Sequence, residues 1–331
     1  MTIQEIDRFK NRVRGRRDKQ ATLRNRILQI ECFEDWLSDY GIESVEEIGM
    51  GTIEDYLGYL GREDYSGPAV RGRWWTLNIF FNELVNRDTI AENPLESINK
   101  KHYRELFNKA KKEDYVDARG GIFALEPEGV QNLAENVPAN GHKTRNKLII
   151  LLSYHTGVRR QELADMKLEE IDRQERRIEV YSSKSDSEFV EKDPRRPVWY
   201  GPSLDPLMDK WIDIERPGYV TAESPYLFVS ERAERMTTHS INRIVVQSAE
   251  NADMQEVMYT DRNGSERHLI THHSLRHSFA RECMSPDETG SRIDVKRLAN
   301  LMGNDPDTVA DKYLHFSEDD DKQARELYGP R

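Results

Sequence analysis

The chain has only two cysteines in 331 residues, Cys32 and Cys283, and no C-x-x-C pair. This excludes a thiolate zinc ribbon and a dithiol redox centre, and leaves both sulfurs as core or neutral thiols. Long apolar runs are also missing. The longest, Leu148-Ile149-Ile150-Leu151-Leu152, falls far short of the ~18 residues that cross a bilayer. Met1 to Arg17 is charged throughout without the apolar stretch of a signal peptide, so a cytoplasmic protein with no membrane partner is expected. There is no internal repeat and no low-complexity tract. An excess of positive charge is lacking too: 49 Lys and Arg stand against 60 Asp and Glu, a net charge of -11. Phosphate binding normally asks for a positive surface, yet one face can be cationic while the rest is acidic. Acids spread along the chain also suit a cytoplasm at molar salt, where the screening length falls to about 3 Å, and a halophilic origin is the expectation from composition.

What is present points to two folded domains, since a single core rarely organises much more than about 150 residues. In the first, Leu23, Ile27, Ile30, Phe33, Trp36 and Leu37 recur at helical spacing and Gly41 stops the helix. A second helix begins near Thr52 with Ile53, Tyr56, Leu57 and Leu60 as its buried stripe, and a third carries Val70, Trp74, Leu77, Phe80, Phe81 and Leu84 before Asn93-Pro94. Core packing accounts for these aromatics better than base stacking does, while Arg71, Arg73 and Trp75 fall between the buried positions and are expected to face outward. Residues 100 to 119 hold seven Lys or Arg, Lys100 and Lys101 first among them, against four acids. Either a solvated linker helix or a strap that tracks phosphates fits this stretch. Gly120-Gly121 marks a boundary.

Beyond it, Arg145 to His155 reads as a buried helix broken at Gly157, and Arg160 to Met166 as a short helix. Arg177 to Tyr181 alternates with the strand period, Pro197-Val198-Trp199 is its hairpin partner, and Thr237 or Thr238 caps a helix over 240 to 249. Helices are expected over 274 to 283, 294 to 302, 306 to 314 and 318 to 328.

Three clusters here carry chemistry. Thr156-Gly157-Val158-Arg159-Arg160-Gln161-Glu162-Leu163 sets an arginine after a glycine turn, with Glu162 one helical turn on to hold a cation or cap the turn. His272-His273-Ser274-Leu275-Arg276-His277 puts His273 and Arg276 on one helix face with His277 adjacent. The pair His273 and His277 has metal-ligand spacing but lacks a third ligand nearby, so a cation cluster aimed at an anion fits better. Leu301-Met302-Gly303-Asn304 is followed nine residues later by Tyr313, which alone would read as a buried anchor.

In order and spacing these clusters resemble the tyrosine recombinase and phage integrase family. Its catalytic domain runs T-G-x-R-x-x-E-L, a basic hairpin, H-x-L-R-H, L-G-H or L-G-W, and a tyrosine nine positions beyond. The N-terminal part is similar to that family's helical core-binding domain, including Phe80-Phe81 and Asn93-Pro94, and the likeness runs from about residue 20 to 328. The resemblance implies a mainly α fold with a small β-hairpin or sheet. A SAM-like helical core-binding domain (1–99) and a basic linker (100–121) would precede an α+β catalytic domain with a C-terminal tail (122–331).

It further implies that Arg159 and Arg276 clamp a DNA phosphate, that His273 is the histidine of the second motif, and that Tyr313 is the nucleophile. Lys184, after the strand, resembles the hairpin lysine that protonates the leaving oxygen, with Lys192 as the alternative. Arg160 is the companion of Arg159. Asn304 departs from the family's His or Trp: it can donate a hydrogen bond, but carries no charge and offers no large aromatic face.

The chemistry suits these residue types. Attack adds charge to the non-bridging phosphate oxygens, and guanidiniums present planar, permanently charged forks to them. A phenol of pKa near 10 needs a positive field or a base, and His273 is placed to accept its proton. No cofactor or metal is called for, and no acidic triad of the Mg²⁺-holding kind stands out. The implied partners are double-stranded DNA, contacted by Arg71, Arg73, Lys100 and Lys101 among others, and further copies of the chain in a synaptic tetramer. Residence in the cytoplasm on the nucleoid follows. Ser317 and the acidic turn 318–321 open a last helix whose Leu327 and Tyr328 either dock on a neighbouring protomer, as family tails do, or lie solvated. Two other readings keep the fold: a non-catalytic DNA-binding protein, and a type IB topoisomerase that relaxes DNA without exchanging strands between sites.

Overall fold

The computed structural model describes residues 3–15, 20–108, 123–138, 142–181, 195–260, 265–285 and 293–313. The chain divides into two units, Met1–Asp114 and Tyr115–Arg331.

The first unit is helical. α1 (Gln4–Gly15), α2 (Gln20–Tyr40), α3 (Met50–Arg62) and α4 (Gly67–Val85) surround an aromatic-rich core. Gly41, at φ 79°, ends α2 in the left-handed region, where an L side chain would be strained. Phe33 stands edge-on to Tyr56 with centroids 4.8 Å apart, and Phe80 to Phe81 at 5.0 Å. All four rings are fully enclosed. The helical stripes expected of α2, α3 and α4 are therefore the buried ones. α1 is an addition to the expected domain: its charged sequence hides a stripe of Ile6, Phe9 and Val13, and Phe9 packs on Phe80 with centroids 5.3 Å apart. α4 stops at Val85, earlier than the Asn93-Pro94 boundary. Buried Asn93 instead pins the following turn, its amide donating to Asn78 Oδ1 at 3.0 Å and Asn82 Oδ1 at 2.7 Å. Residues 100–108, including α5 (Arg104–Asn108), belong to this unit, with Phe107 edge-on to Trp74.

Of the four cations expected to face DNA, Arg73 is turned inward. Its guanidinium lies 4.0 Å from the centroid of Tyr65, it donates to Ala69 O at 3.3 Å, and its Nε is buried. The helix period placed it between buried positions, but the Tyr65 ring covers it. Arg71 is exposed and donates to the Phe107 carbonyl, while Lys100 and Lys101 are exposed, with Lys100 Nζ 5.0 Å from the Trp74 ring.

The second unit is built around α7 (Lys143–Thr156), whose Leu148, Ile149, Ile150 and Leu152 are wholly buried. Apolar residues all round this helix are what a central element needs. α6 (Pro127–Glu135) and α11 (His272–Met284) pack on it, and α8 (Arg160–Asp165) follows it after a tight reversal. An antiparallel sheet of β1 (Ile171–Asp172), β2 (Arg177–Tyr181) and β3 (Arg195–Trp199) pairs Ile178 with Val198 and Val180 with Arg196. The chain continues through α9 (Asp205–Asp209), a π-helical turn over Lys210–Glu215, and α10 (Thr238–Asn251). Thr237 Oγ1 caps α10 by accepting from Ser240 N at 3.1 Å. A second hairpin, β4 (Val257–Thr260) and β5 (Glu266–His268), was not expected from the sequence. α12 (Val295–Met302) and α13 (Pro306–Tyr313) close the described chain, with Tyr313 packed against a small cluster of Ala280, Leu298, Ala299, Met302 and Val309. The helix expected over 318 to 328 lies outside the described residues, as do Leu327 and Tyr328.

Candidate active site

Two glycine turns set the geometry. Gly157, at φ 58°, ends α7 with its N–H on Ser153 O at 3.0 Å, and a Cβ there would run into the Phe279 ring, so backbone and packing both require glycine. The reversal makes Arg159 the N-cap of α8. Glu162 Oε2 accepts from the Arg159 backbone N–H at 2.7 Å, and Oε1 from Arg159 Nη1 at 2.9 Å. Gly303, at φ 61°, ends α12 in the same way, and Asn304 N–H reaches Ala299 O at 2.9 Å.

Arg276, on α11 and 2% exposed, joins the two turns: Nη1 donates to the Gly157 carbonyl and Nη2 to Met302 O at 2.7 Å. Arg159 Nη2 donates to the Gly303 carbonyl and to Asn304 Oδ1 at 2.5 Å. Stretches more than a hundred residues apart thus converge on one cationic pocket. Burial, and then the like charge of Arg159, pulls the Arg276 guanidinium down to about 10. Asn304 uses its oxygen to hold Arg159, which leaves the amide NH₂ as its donor end.

A third guanidinium sits in the same place. Arg196, from β3, donates through Nη2 to Glu162 Oε2 at 2.9 Å and through Nε to Leu301 O at 3.0 Å, and it lies against Gly303, where a Cβ would stand 2.8 Å from Nε. Its Nη1 is buried with no hydrogen-bond partner. Glu162, 3% exposed, is therefore shared by two arginines. Burial pushes its carboxyl up, but Arg196, ahead of Arg159, outweighs that and holds it below the usual carboxylate range. Arg196 had a sequence signal: β3 alternates, and Arg196 shares a face with buried Val198 two residues on. Starting the strand at Pro197 hid it.

The three histidines of α11 differ. His272 is buried against Ser153 Oγ at 3.0 Å, and burial drives it down to about 3, so it is a neutral packing residue. His273 is exposed, its ring edge-on to His277 with centroids 4.2 Å apart. His277 is buried, and its Nδ1 lies 2.5 Å from Tyr313 Oη. Half-buried Tyr313 is pushed up to about 12 by burial, against the pull of Arg276. The geometry thus brings together Arg159, Glu162, Arg276, His277, Asn304 and Tyr313. Lys184 and Lys192 lie outside the described residues. Among the described residues no group of three His, Cys, Asp or Glu is arranged to hold a metal, and no helix is long and apolar enough to cross a membrane.

Known proteins resemble this chain along most of its length. The tyrosine recombinase XerC of Halalkalibacterium halodurans is 22% identical, with 94% of this chain and 91% of that protein covered. XerD of Staphylococcus aureus is 21% identical over 90% of this chain and 88% of its own length. Among solved structures, the Tn1549 transposon integrase with transposon right end DNA matches with a TM-score of 0.69 at 15% identity, over 100% of both chains. XerH bound to its difH substrate matches at 0.64 and 17% identity, over 92% of this chain and 79% of that one. These likenesses show the same mainly helical fold with its small sheet. The model of the phage integrase family matches residues 124–319, well over half the chain and every element of the pocket just described, and the protein belongs to that family.

Proposed function

We propose that the protein is a site-specific DNA recombinase that cuts and rejoins strands through a covalent 3′-phosphotyrosyl link on Tyr313. The observation that carries this reading is the convergence of Arg159 and Arg276 on the two glycine turns, with Tyr313 close enough for Arg276 to act on its phenol. The XerC and XerD relatives are named tyrosine recombinases, and the solved XerH and Tn1549 proteins are DNA-bound, which supports it.

In this scheme Arg159 and Arg276 grip the non-bridging oxygens of the scissile phosphate, where charge grows during attack, and preorganised donors are most effective there. Exposed His273 and the amide of Asn304 donate to the same oxygens. Glu162 keeps Arg159 in place. The 5′ oxygen leaves after protonation by Lys184, with Lys192 as the alternative on the same hairpin. The link stores the bond energy, so a 5′ hydroxyl from another strand reverses the step without ATP. A core-binding domain over residues 1–99 and the basic stretch over 100–121, whose first residues fold into the same helical unit, hold DNA, and Arg71, Lys100 and Lys101 contribute phosphate contacts. Four protomers on two DNA sites form the synaptic complex, on the nucleoid. The acidic remainder of the surface suits a cell at high salt, and DNA binding confined to low salt would contradict that.

A nicked suicide substrate built from DNA flanking the gene tests the reading. The wild-type protein should form a denaturant-resistant adduct, and Tyr313→Phe should bind the same DNA without forming one. An intact adduct in the mutant would overturn it.

A further inference from the structure

The phenol must lose its proton as it attacks, and with burial holding it near 12 it is fully protonated at neutral pH. His273 is the histidine that the motif pattern favours, but its ring is exposed and edge-on to His277. The Tyr313 hydroxyl meets a different ring. Its Oη is 2.5 Å from His277 Nδ1, with ring centroids 5.6 Å apart, and His277 is 6% exposed. His277 is fixed by its helix, one residue after Arg276, so a single turn of α11 supplies a phosphate-gripping guanidinium and a nitrogen on the nucleophile.

We infer that His277 is a catalytic residue, the general base that takes the Tyr313 proton, while His273 serves the phosphate. The inference rests on Tyr313 being the nucleophile. The step balances within the site. The O–H bond of Tyr313 breaks and its proton passes to Nδ1 of an imidazole carrying hydrogen on Nε2, giving an imidazolium. The phenolic oxygen forms the new bond to phosphorus, and the bond to the 5′ oxygen breaks as that oxygen takes its own proton from the hairpin lysine. In the return direction the imidazolium hands its proton back to the departing phenolate. Among the groups that face this ring are His273 on its own helix and Tyr313 on α13, and the Arg276 guanidinium belongs to the preceding residue.

His277→Asn separates the base from the contact, because the asparagine oxygen can still accept a hydrogen bond near the Nδ1 position but is not basic. DNA affinity should hold, while the single-turnover rate of adduct formation on the nicked substrate should fall about 10²- to 10⁴-fold, the usual contribution of general-base catalysis. Replacing Tyr313 by a more acidic fluorotyrosine should then recover the asparagine variant far more than it changes the wild type. A rate within twofold of wild type, or equal responses to fluorotyrosine, would overturn the assignment. Should the variant fail to fold, ¹⁵N-histidine spectra of the wild-type protein decide: Nδ1 of His277 should be the unprotonated nitrogen, and a protonated Nδ1 refutes it. An adduct on Tyr313 that forms regardless of His277 sinks this inference alone, whereas the lack of any Tyr313 adduct in wild type sinks the function beneath it.

Discussion

Arg216 and Arg276 are both almost fully buried, and both hand their N–H groups to backbone carbonyls, yet they do opposite things. Arg216 sews up a single loop: Nη1 reaches Ala222 O, Nη2 reaches Ser224 O and Tyr226 O, and Nε reaches Tyr226 O, all within ten residues. Only burial lowers its affinity for the proton. Arg276 ties Gly157 to Met302, across 119 and 26 residues, and feels the like charge of Arg159 as well as burial. A fold seeking stability alone has no reason to crowd cations, since each raises the cost of the other. Crowding that is held in place by carbonyls, with one carboxylate among three guanidiniums, leaves net positive charge, as the proposed phosphate contact requires.

Mutants of the two arginines should behave differently, with the larger effect on chemistry at Arg276. Arg276→Lys keeps the charge but loses the fork that spans both turns, so adduct formation should drop about 10²- to 10³-fold, the scale of removing one preorganised donor. DNA binding should change little. Arg216→Lys should lower the melting temperature and leave the rate of the folded fraction intact. The contrast breaks if Arg216→Lys slows the chemistry of folded protein as much as Arg276→Lys does.

A second test concerns the shared carboxylate. Arg196→Met removes the cation that contributes most to holding Glu162 ionised, and breaking a buried pair from one side costs about 3–5 kcal/mol. The pH dependence follows from sign. Because the folded-state value of Glu162 is depressed, its stabilisation is complete above the unfolded carboxyl value and is lost as pH falls through the folded one. With Arg196 gone that folded value rises, so acid unfolding should begin at higher pH than in wild type. Glu162→Gln should lose this part of the acid limb. Denaturant titrations between about pH 3 and 7 read both, and an unmoved acid limb in Arg196→Met would show that Arg159 alone holds the carboxylate.

Much of this pocket could be read from residue order, and the reasons for the remainder are physical. Gly157, Arg159, Glu162, Arg276 and Gly303 announce themselves because turns and caps are local and have local signatures. The stripes of α2, α3 and α4 and the pairing of Ile178 with Val198 follow equally from period. α1 escaped notice because three apolar residues among twelve make a thin stripe, meaningful only once Phe80 is there to cover Phe9. Which histidine reaches Tyr313 depends on how α13 folds back toward α11, and spacing within H-x-L-R-H cannot express that. Arg196 belongs to the same class: its partners, Glu162 and Leu301, are 34 and 105 residues away.

The smallest expected effects lie in the first unit, at one covered and one exposed cation. Arg73 is covered by Tyr65 and Lys101 is exposed, although both were expected to face DNA. Lys101→Gln should weaken DNA binding about equally for all sequences and reduce the slope of log affinity against log salt by about 0.9, the value for one lost phosphate contact. Arg73→Met should leave that slope alone and cost about 0.5–1 kcal/mol of stability, the size of a cation–π contact near the surface. A changed salt slope in Arg73→Met would mean that the guanidinium leaves Tyr65 for a phosphate when DNA binds.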